Sequence, residues 1–220
     1  MNKFVLISTF LLLPICVWGE TLNIKVRSRY LNIPISHRTD RKRLTFTSRG
    51  EDTLSVVVRI AEDTPDYWVF KDVSRYRGKN LELNYEGSMK ALENIVQSDS
   101  IYGESMMYKE LNRPQFHFTA RRGWINDPNG LIYHNGVYHL YFQHNPYERE
   151  WENMTWGHAT SPDLIHWTNT TMCFSPIVWE PCTLVPLCLT SRTPQALVQR
   201  KTLPLCMHIQ QTEANVKYSV

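Results

Sequence analysis

Short apolar runs typical of β-strands occupy the first half of the chain: two alternate with polar residues (22–26 and 81–85), one is β-branched (54–60) and one is aromatic (67–70). Turns rich in glycine and aspartate separate the runs. A single helix is predicted over residues 88–97, where Ser88 can cap the first turn. Three apolar residues share one face of this helix: Leu92, Ile95 and Val96. The pattern predicts an all-β chain that begins with a β-sandwich-like domain over residues 20–110.

A second region is dense in aromatic residues and asparagines. Asn135-Gly136 lies between two apolar runs, and this arrangement is the strongest short-range signal for a β-hairpin. Residues 155–160 predict a third strand, and Ile165-His166-Trp167 begins a fourth after a turn. Four antiparallel strands of this length make one propeller blade. We predict this unit over residues 111–169.

Residues 1–19 have the layout of a secretory signal peptide. Lys3 supplies a positive start, an apolar run covers residues 4–14, and Val17-Trp18-Gly19 offers a cleavage site. The apolar run is too short to span a bilayer. We therefore expect a mature protein that begins near Glu20 and is secreted, periplasmic or held at the cell surface.

Two alternatives to a cleaved signal peptide stay open. The segment could form a buried N-terminal helix, or Cys16 could carry a lipid anchor. The Pro14-Ile15 pair lacks the small residue that a lipid-attachment site requires, so the lipoprotein ranks second. The other cysteines form no Cys-x-x-Cys pair, and we interpret them as neither disulfide staples nor metal ligands. They are Cys173, Cys182, Cys188 and Cys206.

The composition changes at about residue 170. All nine glycines lie at or before Gly157, and no aspartate follows Asp163. Because β-rich chains use glycine and aspartate at their turns, the loss of both is unusual. We predict that residues 170–220 are an altered or out-of-register end with little native structure. A genuine irregular extension is the alternative.

Overall composition narrows the class of protein. Of 220 residues, 42% are hydrophobic and 12% aromatic, which excludes a disordered chain, a collagen-like repeat and a disulfide-rich miniprotein. A net charge of +3 is too weak to indicate a nucleic acid or an anionic membrane as partner. The basic run at residues 38–43 is either a solvated loop or a binding patch, and the loop is favoured.

The candidate chemistry lies in Trp124-Ile125-Asn126-Asp127-Pro128-Asn129-Gly130, just before the predicted hairpin. Asp127 offers a carboxylate, Asn126 offers hydrogen bonds and Trp124 an aromatic face. Sugars have hydroxyl groups around an edge and C–H groups on a face, so these side chains suit them. Taken alone, Asp-Pro-Asn-Gly is also an ordinary turn, so the motif needs its context.

Five blocks in order between residues 113 and 167 supply that context, because together they closely resemble glycoside hydrolase family 32. That family contains invertases, levanases, inulinases and other β-fructosidases. The blocks are Arg113-Pro114-Gln115-Phe116-His117-Phe118, the motif at 124–130, Tyr141-Phe142-Gln143-His144-Asn145-Pro146, Trp156-Gly157-His158-Ala159 and Ser161-Pro162-Asp163-Leu164-Ile165-His166-Trp167. Residues 20–110 resemble the β-rich extension that some secreted bacterial members carry ahead of the catalytic domain, which is a less specific match.

The resemblance implies a five-bladed β-propeller with a funnel-shaped active site. Residues 111–169 form its first blade, so we expect an incomplete propeller. Asp127 matches the catalytic nucleophile. The residues that match those holding the terminal fructosyl unit, or the same wall of the site, are Asn126, Gln143, Trp151, Trp124 and Trp156. The implied reaction is retaining hydrolysis of a β-fructofuranosidic bond, with a second, protonated carboxyl about 5 to 5.5 Å from the nucleophile.

The implied partner is a fructan or a fructosyl-oligosaccharide, with no metal or organic cofactor, no nucleic acid and no membrane span. Oligomeric state stays open. The family's Glu-Cys and Arg-Asp-Pro motifs are absent: Glu180 precedes Pro181-Cys182, and Thr193 stands where the aspartate belongs. We therefore expect an N-terminal fragment with weak or no activity. A non-catalytic fructan-binding protein and an unfolded inactive product are the alternatives.

Two further groups of polar residues leave alternatives open. The glutamates beside Trp151 either contact substrate or form a solvated loop, and the loop is favoured. They are Glu148, Glu150 and Glu152. Six histidines are read as a hydrogen-bonded framework rather than a metal site, since no His-Glu-x-x-His motif is present. They are His117, His134, His139, His144, His158 and His166.

Overall fold

The computed structural model describes residues 19–170, together with the backbone of residues 208–212 and 215–219. Within these residues the chain is all-β, with one short α-helix. The predicted signal peptide, apart from Gly19, and all five cysteines lie outside the described residues. No helix in the described ranges is long and apolar enough to cross a membrane.

Two antiparallel sheets are built from the first part of the chain. The elements are β1 (Glu20–Lys25), β2 (Tyr30–Ile35), β3 (Lys42–Thr47), β4 (Leu54–Val58), β5 (Tyr67–Asp72), β6 (Asn80–Tyr85), α1 (Met89–Glu93) and β7 (Val96–Ser98), with 3-10 turns at Ser74–Tyr76 and Glu104–Met106. One sheet has the order β1-β6-β3-β4 and the other the order β5-β2-β7. Strand β4 is therefore an edge of the first sheet.

Both sheets contribute to one hydrophobic core. In β6 the apolar residues Leu81, Leu83 and Tyr85 are buried, while Glu82 between them is exposed. Across the sheets, buried side chains from both belong to a single cluster, including Ile33, Val69, Leu44, Phe46, Val58 and Leu83. In strands that alternate, such as β6, the period of two thus places one face in the core.

The strands predicted at β1, β4, β5 and β6 are confirmed, whereas β2 and β3 were not predicted. All six residues of β2 are buried, so this strand does not alternate. It also contains Pro34, which argues against a strand interior. The proline is accommodated because β7 pairs only with residues 30–32 of β2 and leaves Pro34 without a ladder partner on that side. Strand β3 includes part of the basic run that was expected to be a loop.

The helix is shorter than predicted. Ser88 caps it as expected, its Oγ accepting the Ala91 N–H at 3.2 Å. The helix stops at Glu93 because the side chain of Asn94 donates to the carbonyl oxygens of Ala61 and Glu62, both at 3.0 Å. The chain then turns directly into β7, so Val96 lies in a strand rather than on the helix face.

A third sheet contains the sequence motif. Its strands are β8 (Trp124–His134), β9 (Val137–Asn145), β10 (Thr155–Ser161) and β11 (Thr168–Asn169), in the order β11-β10-β9-β8, all antiparallel. The predicted hairpin is confirmed: Asn135 and Gly136 have φ of 49° and 82°, the left-handed conformations that a tight hairpin turn requires.

The fourth strand begins later than predicted. Residues 165–167 belong to a turn because Asp163 Oδ1 accepts the backbone N–H groups of Ile165 and His166 at 2.9 and 2.8 Å. A further antiparallel pair, β12 (His208–Thr212) with β13 (Asn215–Ser219), lies in the region predicted to be altered. Most of residues 170–220 lie outside the described residues.

Candidate functional site

Strand register gathers three of the predicted site residues on one face of the third sheet. Trp156 on β10 lies opposite Gln143 on β9, and Trp124 on β8 lies opposite Asn145, two residues from Gln143. Paired residues of antiparallel strands point to the same side, and so do residues two apart on one strand. A fourth residue joins them, since Asn126 Nδ2 donates to Gln143 Oε1 at 3.4 Å.

Asp127 lies where the ladder between β8 and β9 is interrupted. The register shifts between Ile125 and Pro128, and again between Pro128 and Gly130. Such bulges bend a strand and redirect its side chains, and Pro128 has no N–H to donate to the ladder. The Asp127 side chain is exposed, and no residue in the described part of the chain forms a hydrogen bond or ion pair with it. The bulges therefore present an accessible carboxylate beside the aromatic and amide groups.

Asn129 is a residue of this site that the sequence marked only as part of a turn. Its side chain is 8% exposed, and neither amide atom has a hydrogen-bond partner in the part of the chain that the structure describes. A buried amide without a partner costs about 1–3 kcal/mol. It is one of the groups that a polar ligand at this bulge could satisfy.

Trp151 is not brought onto the sheet face by register. It lies in the segment of residues 146–154 that links β9 to β10, here named the Trp151 loop, and it is 59% exposed. The loop is tied to the sheet because the Trp124 N–H donates to the Glu148 carbonyl at 2.8 Å. The conformation of this loop, rather than strand register, therefore sets the position of Trp151.

Asn145, another residue that sequence reasoning missed, organises that loop. Its side chain is fully buried, and its Nδ2 donates to the Glu150 carbonyl at 2.8 Å. Its Oδ1 accepts the Tyr147 N–H at 3.1 Å and Asn153 Nδ2 at 3.2 Å. One buried amide therefore holds three points of the loop.

The interpretation of Glu148 as a residue in a solvated loop is wrong. Its side chain is completely buried, and its Oε2 lies 2.8 Å from Arg59 Nη1. Its Oε1 also accepts the Arg59 backbone N–H at 3.0 Å. A buried carboxylate is stable only with such pairing. Glu150 is half exposed and pairs with Arg41, so the basic run at residues 38–43 is divided among several acidic partners rather than forming one patch.

Three histidines of the sheet make contacts typical of a framework. His158 Nε2 lies 3.0 Å from His139 Nδ1, its Nδ1 lies 2.8 Å from Thr170 Oγ1, and its ring stacks on Tyr141. Burial, and to a lesser extent the neighbouring His139, lower the pKa of His158 to about 4. Burial also lowers the pKa of His139 and of His144. These rings are neutral at pH 7 and serve as hydrogen-bonding groups.

Comparison with known proteins identifies relatives of this sheet. Residues 117–182 match the family described as glycosyl hydrolases family 32, N-terminal domain. A stretch of 60 residues is 60% identical to an extracellular exo-inulinase of Aspergillus niger, covering 27% of this chain and 11% of that protein. Levanase of Bacillus subtilis is 47% identical over 73 residues, which are 33% of this chain and 11% of the levanase.

Another relative matches over a longer stretch. Fructan β-fructosidase of Streptococcus mutans is 42% identical over 99 residues, covering 45% of this chain and 6% of that enzyme. Among solved structures, exo-inulinase from Aspergillus awamori is 51% identical with a TM-score of 0.30, covering 31% of this chain and 13% of that one. The chain spans about a tenth of the length of these curated relatives. The similarity to these enzymes rests on sequence identity, because a TM-score of 0.30 does not establish a shared fold.

Proposed function

We propose that the third sheet carries the fructosyl-binding and nucleophile side of a β-fructofuranosidase active site, because residues 117–182 match the family described as glycosyl hydrolases family 32, N-terminal domain. The substrate is a fructan or a sucrose-like fructoside. Export from the cell is part of the proposal, supported by the signal-like sequence at residues 1–19 and by relatives whose names describe them as extracellular.

The observation that carries the proposal is the face shared by Trp124, Gln143 and Trp156, with Asp127 at its bulged edge. Indole rings can pack against the C–H face of a fructosyl ring, while the amides of Gln143 and Asn126 bind its hydroxyl groups. An exposed carboxylate without a partner among residues 19–170 meets the requirement for access to the anomeric carbon.

The proposed reaction proceeds in two steps with retention of configuration. Asp127 Oδ attacks the anomeric C2, the C2–O bond to the leaving sugar breaks, and a protonated carboxyl gives its proton to the leaving oxygen. Water then attacks C2 of the fructosyl–Asp127 ester and returns a proton to that same carboxyl, which frees Asp127. We assign no residue between 19 and 170 to the proton donor.

Weak turnover follows from this assignment. The sequence lacks the family's Glu-Cys and Arg-Asp-Pro motifs, and loss of general acid assistance typically costs about 10²–10⁴-fold in rate. The same observation favours a second candidate, a non-catalytic fructan-binding protein that uses the same face. The two differ in whether Asp127 forms a covalent bond with the sugar.

Domain organisation is part of the same proposal. Residues 20–110 form a sandwich-like domain, residues 111–169 form the first blade of a five-bladed propeller, and residues 170–220 form an altered end. The four-stranded antiparallel third sheet supports the blade. Large apolar side chains exposed on or beside this sheet are consistent with faces that further blades would cover. They are Leu131 at 65%, Tyr133 at 61% and Ile165 at 77% exposure.

The test combines binding and turnover on the full chain. Calorimetry with inulin-derived and levan-derived oligosaccharides and with sucrose measures binding, and release of reducing sugar measures hydrolysis. We expect binding that Trp156→Ala weakens about tenfold, because aromatic contacts are worth about 0.5–1.5 kcal/mol beyond the area that they bury. Asp52→Asn, at an exposed residue between β3 and β4, is the matched control and leaves binding unaltered. A chain that binds none of these sugars contradicts the proposal.

A further inference from the structure

The first sheet contacts the Trp151 loop at two residues that flank Trp151 in the sequence: Val57 of β4 bonds Asn153, and Arg59, just after β4, bonds Glu148. From these contacts we infer that Glu148 and Asn153 are positioning residues, and that the first sheet holds Trp151 in the orientation in which it contacts the sugar. This inference rests on the proposed function, since it gives the N-terminal region a role in fructosyl binding at that same site.

Asn153 reproduces with its side chain the pairing of one more strand along the edge of β4. Its Oδ1 accepts the Val57 N–H at 2.7 Å, and its Nδ2 donates to the Val57 carbonyl at 2.8 Å. Because β4 is an edge strand, these two backbone groups have no partner on a neighbouring strand at that side. Asn153 itself has φ of 46°, a left-handed conformation that asparagine tolerates better than most residues.

Glu148 supplies the second attachment, to Arg59, which lies two residues after Val57 in the sequence. Its carboxylate bonds both the backbone N–H and the guanidinium of Arg59, at 3.0 and 2.8 Å. The glutamate side chain is fully buried, and the Arg59 side chain is 17% exposed. Next to it, Tyr147 is 2% exposed and belongs to the hydrophobic core of the first two sheets. The start of the loop is therefore fixed by apolar packing, charge and hydrogen bonds together.

Between these attachments the loop is open to solvent. Arg149, Glu150 and Trp151 are all exposed, so this part of the loop has little packing of its own. Ordering a backbone residue costs about 1–2 kcal/mol of conformational entropy, and the attachments at either side of Trp151 are what offset that cost before ligand arrives. Since Trp124 donates its N–H to the Glu148 carbonyl, the same attachment also joins the loop to the start of the site strand β8.

Asn153→Gly is the decisive variant because glycine keeps the left-handed backbone while removing both side-chain bonds to Val57, together with the Asn153 bond to Asn145 Oδ1. Asn153→Asp is the conservative partner, which retains the acceptor for the Val57 N–H. Asn84→Ala is the matched control: it removes the bond from Asn84 Nδ2 to Thr21 Oγ1 in the first sheet, far along the sheet order from the loop.

The measurement is ¹⁹F NMR of the full chain labelled with 5-fluorotryptophan, with the Trp151 signal assigned by Trp151→Phe. In Asn153→Gly we expect that signal to narrow and move toward the position of free fluorotryptophan. The Trp68 signal, which reports folding of the first two sheets, stays in place. Asn153→Asp restores part of the original position, and Asn84→Ala leaves the Trp151 signal unchanged. An unchanged Trp151 signal in Asn153→Gly, with Trp68 intact, overturns the inference.

Binding of an inulin-derived fructo-oligosaccharide, measured by calorimetry on the same samples, links the loop to ligand recognition. We expect about tenfold weaker binding in Asn153→Gly, the cost of ordering the loop and one large side chain on binding. If Asn153→Gly unfolds, Glu148→Gln, which keeps the shape of the side chain, gives the same test. Failure of the wild-type chain to bind contradicts the proposed function, whereas a displaced Trp151 signal with unchanged binding contradicts the positioning role.

Discussion

Gln143 lies directly opposite Trp156 on the neighbouring strand, and its side-chain oxygen accepts a hydrogen bond from Asn126 on the other side. One residue on the central strand β9 thus joins the aromatic wall on β10 to the motif strand β8. The pair places a hydrogen-bonding amide and a large ring on the same side of the sheet. That is the combination that recognition of a sugar ring requires, and the predictions that follow depend on it.

Replacing Gln143 with leucine removes the amide and keeps the approximate size of the side chain. We expect fructosyl ligands to bind about tenfold or more weakly, because ligand hydroxyl groups then lose a partner, a loss of about 1–3 kcal/mol. Calorimetry measures the affinity and a thermal melt measures stability. Gln115→Leu, an exposed position outside the sheet, is the control. A Gln143→Leu chain that binds as tightly as wild type removes Gln143 from the site.

Asn129→Leu tests the buried amide that lacks a partner in the described part of the chain. Removing an unsatisfied buried polar group favours the folded state, so we expect the free energy of unfolding to rise by about 1 kcal/mol. Fructosyl affinity falls if a ligand supplies the missing partner. Urea unfolding and calorimetry give the two values. A clear loss of stability in Asn129→Leu shows that the amide has a stabilising partner in the folded chain.

Glu148→Ala leaves the Arg59 guanidinium without its buried partner. Removal of one member of a buried ion pair costs about 3–5 kcal/mol, and we expect a loss of at least about 3 kcal/mol in urea unfolding. The double variant Arg59→Met with Glu148→Leu, which removes both charges, recovers much of that loss. Lys90→Ala, which breaks the exposed pair with Asp63, is the comparison and changes stability little. Equal effects of Glu148→Ala and Lys90→Ala contradict a buried, structural role for Glu148.

Buried neutral histidines make stability depend on pH. The pKa of His158 is lowered to about 4, chiefly by burial and then by His139, whereas an unfolded histidine has a pKa near 6.5. Between these values the unfolded chain binds the proton more readily, so stability is complete above about pH 6.5 and falls as the pH drops toward 4. Hydrogen bonds from the backbone and side chain of His166 lower the pKa of Asp163, and its contribution is lost only at more acidic pH.

Urea unfolding at pH 7, 5.5 and 4.5 measures this dependence. We expect His158→Gln to reduce the slope of stability against pH in that window, because one proton-binding difference between the folded and unfolded states is removed. His37→Gln serves as the comparison, because His37 follows β2 and lies outside the His139–His158 pair. An unaltered slope in His158→Gln excludes His158 as a source of the acid sensitivity.

The sequence predicted β1 and β6 from alternation, and β4 and β5 from β-branched and aromatic runs. It missed β2, and it missed β3 although the burial of β3 alternates, because Lys42 and Arg43 at its start belong to the basic run that was interpreted as a loop. Leu81, Leu83 and Tyr85 face the core in turn, and that pattern is visible without a structure. Strand β2 is buried on both faces and contains Pro34, so neither alternation nor composition marks it. The helix end was missed because Asn94 is held by carbonyl groups of residues 61 and 62, a contact that no local pattern contains.

For the candidate site, the resemblance to a family selected residues that strand register then brought together, namely Trp124, Gln143 and Trp156. The attachments of the Trp151 loop could not be predicted from the sequence. Glu148 and Asn153 pair with residues 89 and 96 positions away in the sequence, and spacing of that kind carries no periodic signal. Glu148 also looked like one of several solvated glutamates until its burial was known.

The most direct test of the central claim asks whether Asp127 bonds covalently to the sugar. β-Fructosyl fluoride is a suitable probe because fluoride leaves without general acid assistance, so the ester on Asp127 can form without a proton donor. Intact-mass spectrometry with peptide mapping locates any adduct, and Asp127→Asn is the control. We predict the addition of one fructosyl unit at Asp127 and none in Asp127→Asn. A folded chain that binds fructosyl ligands yet forms no adduct, or forms it on another residue, contradicts the assignment.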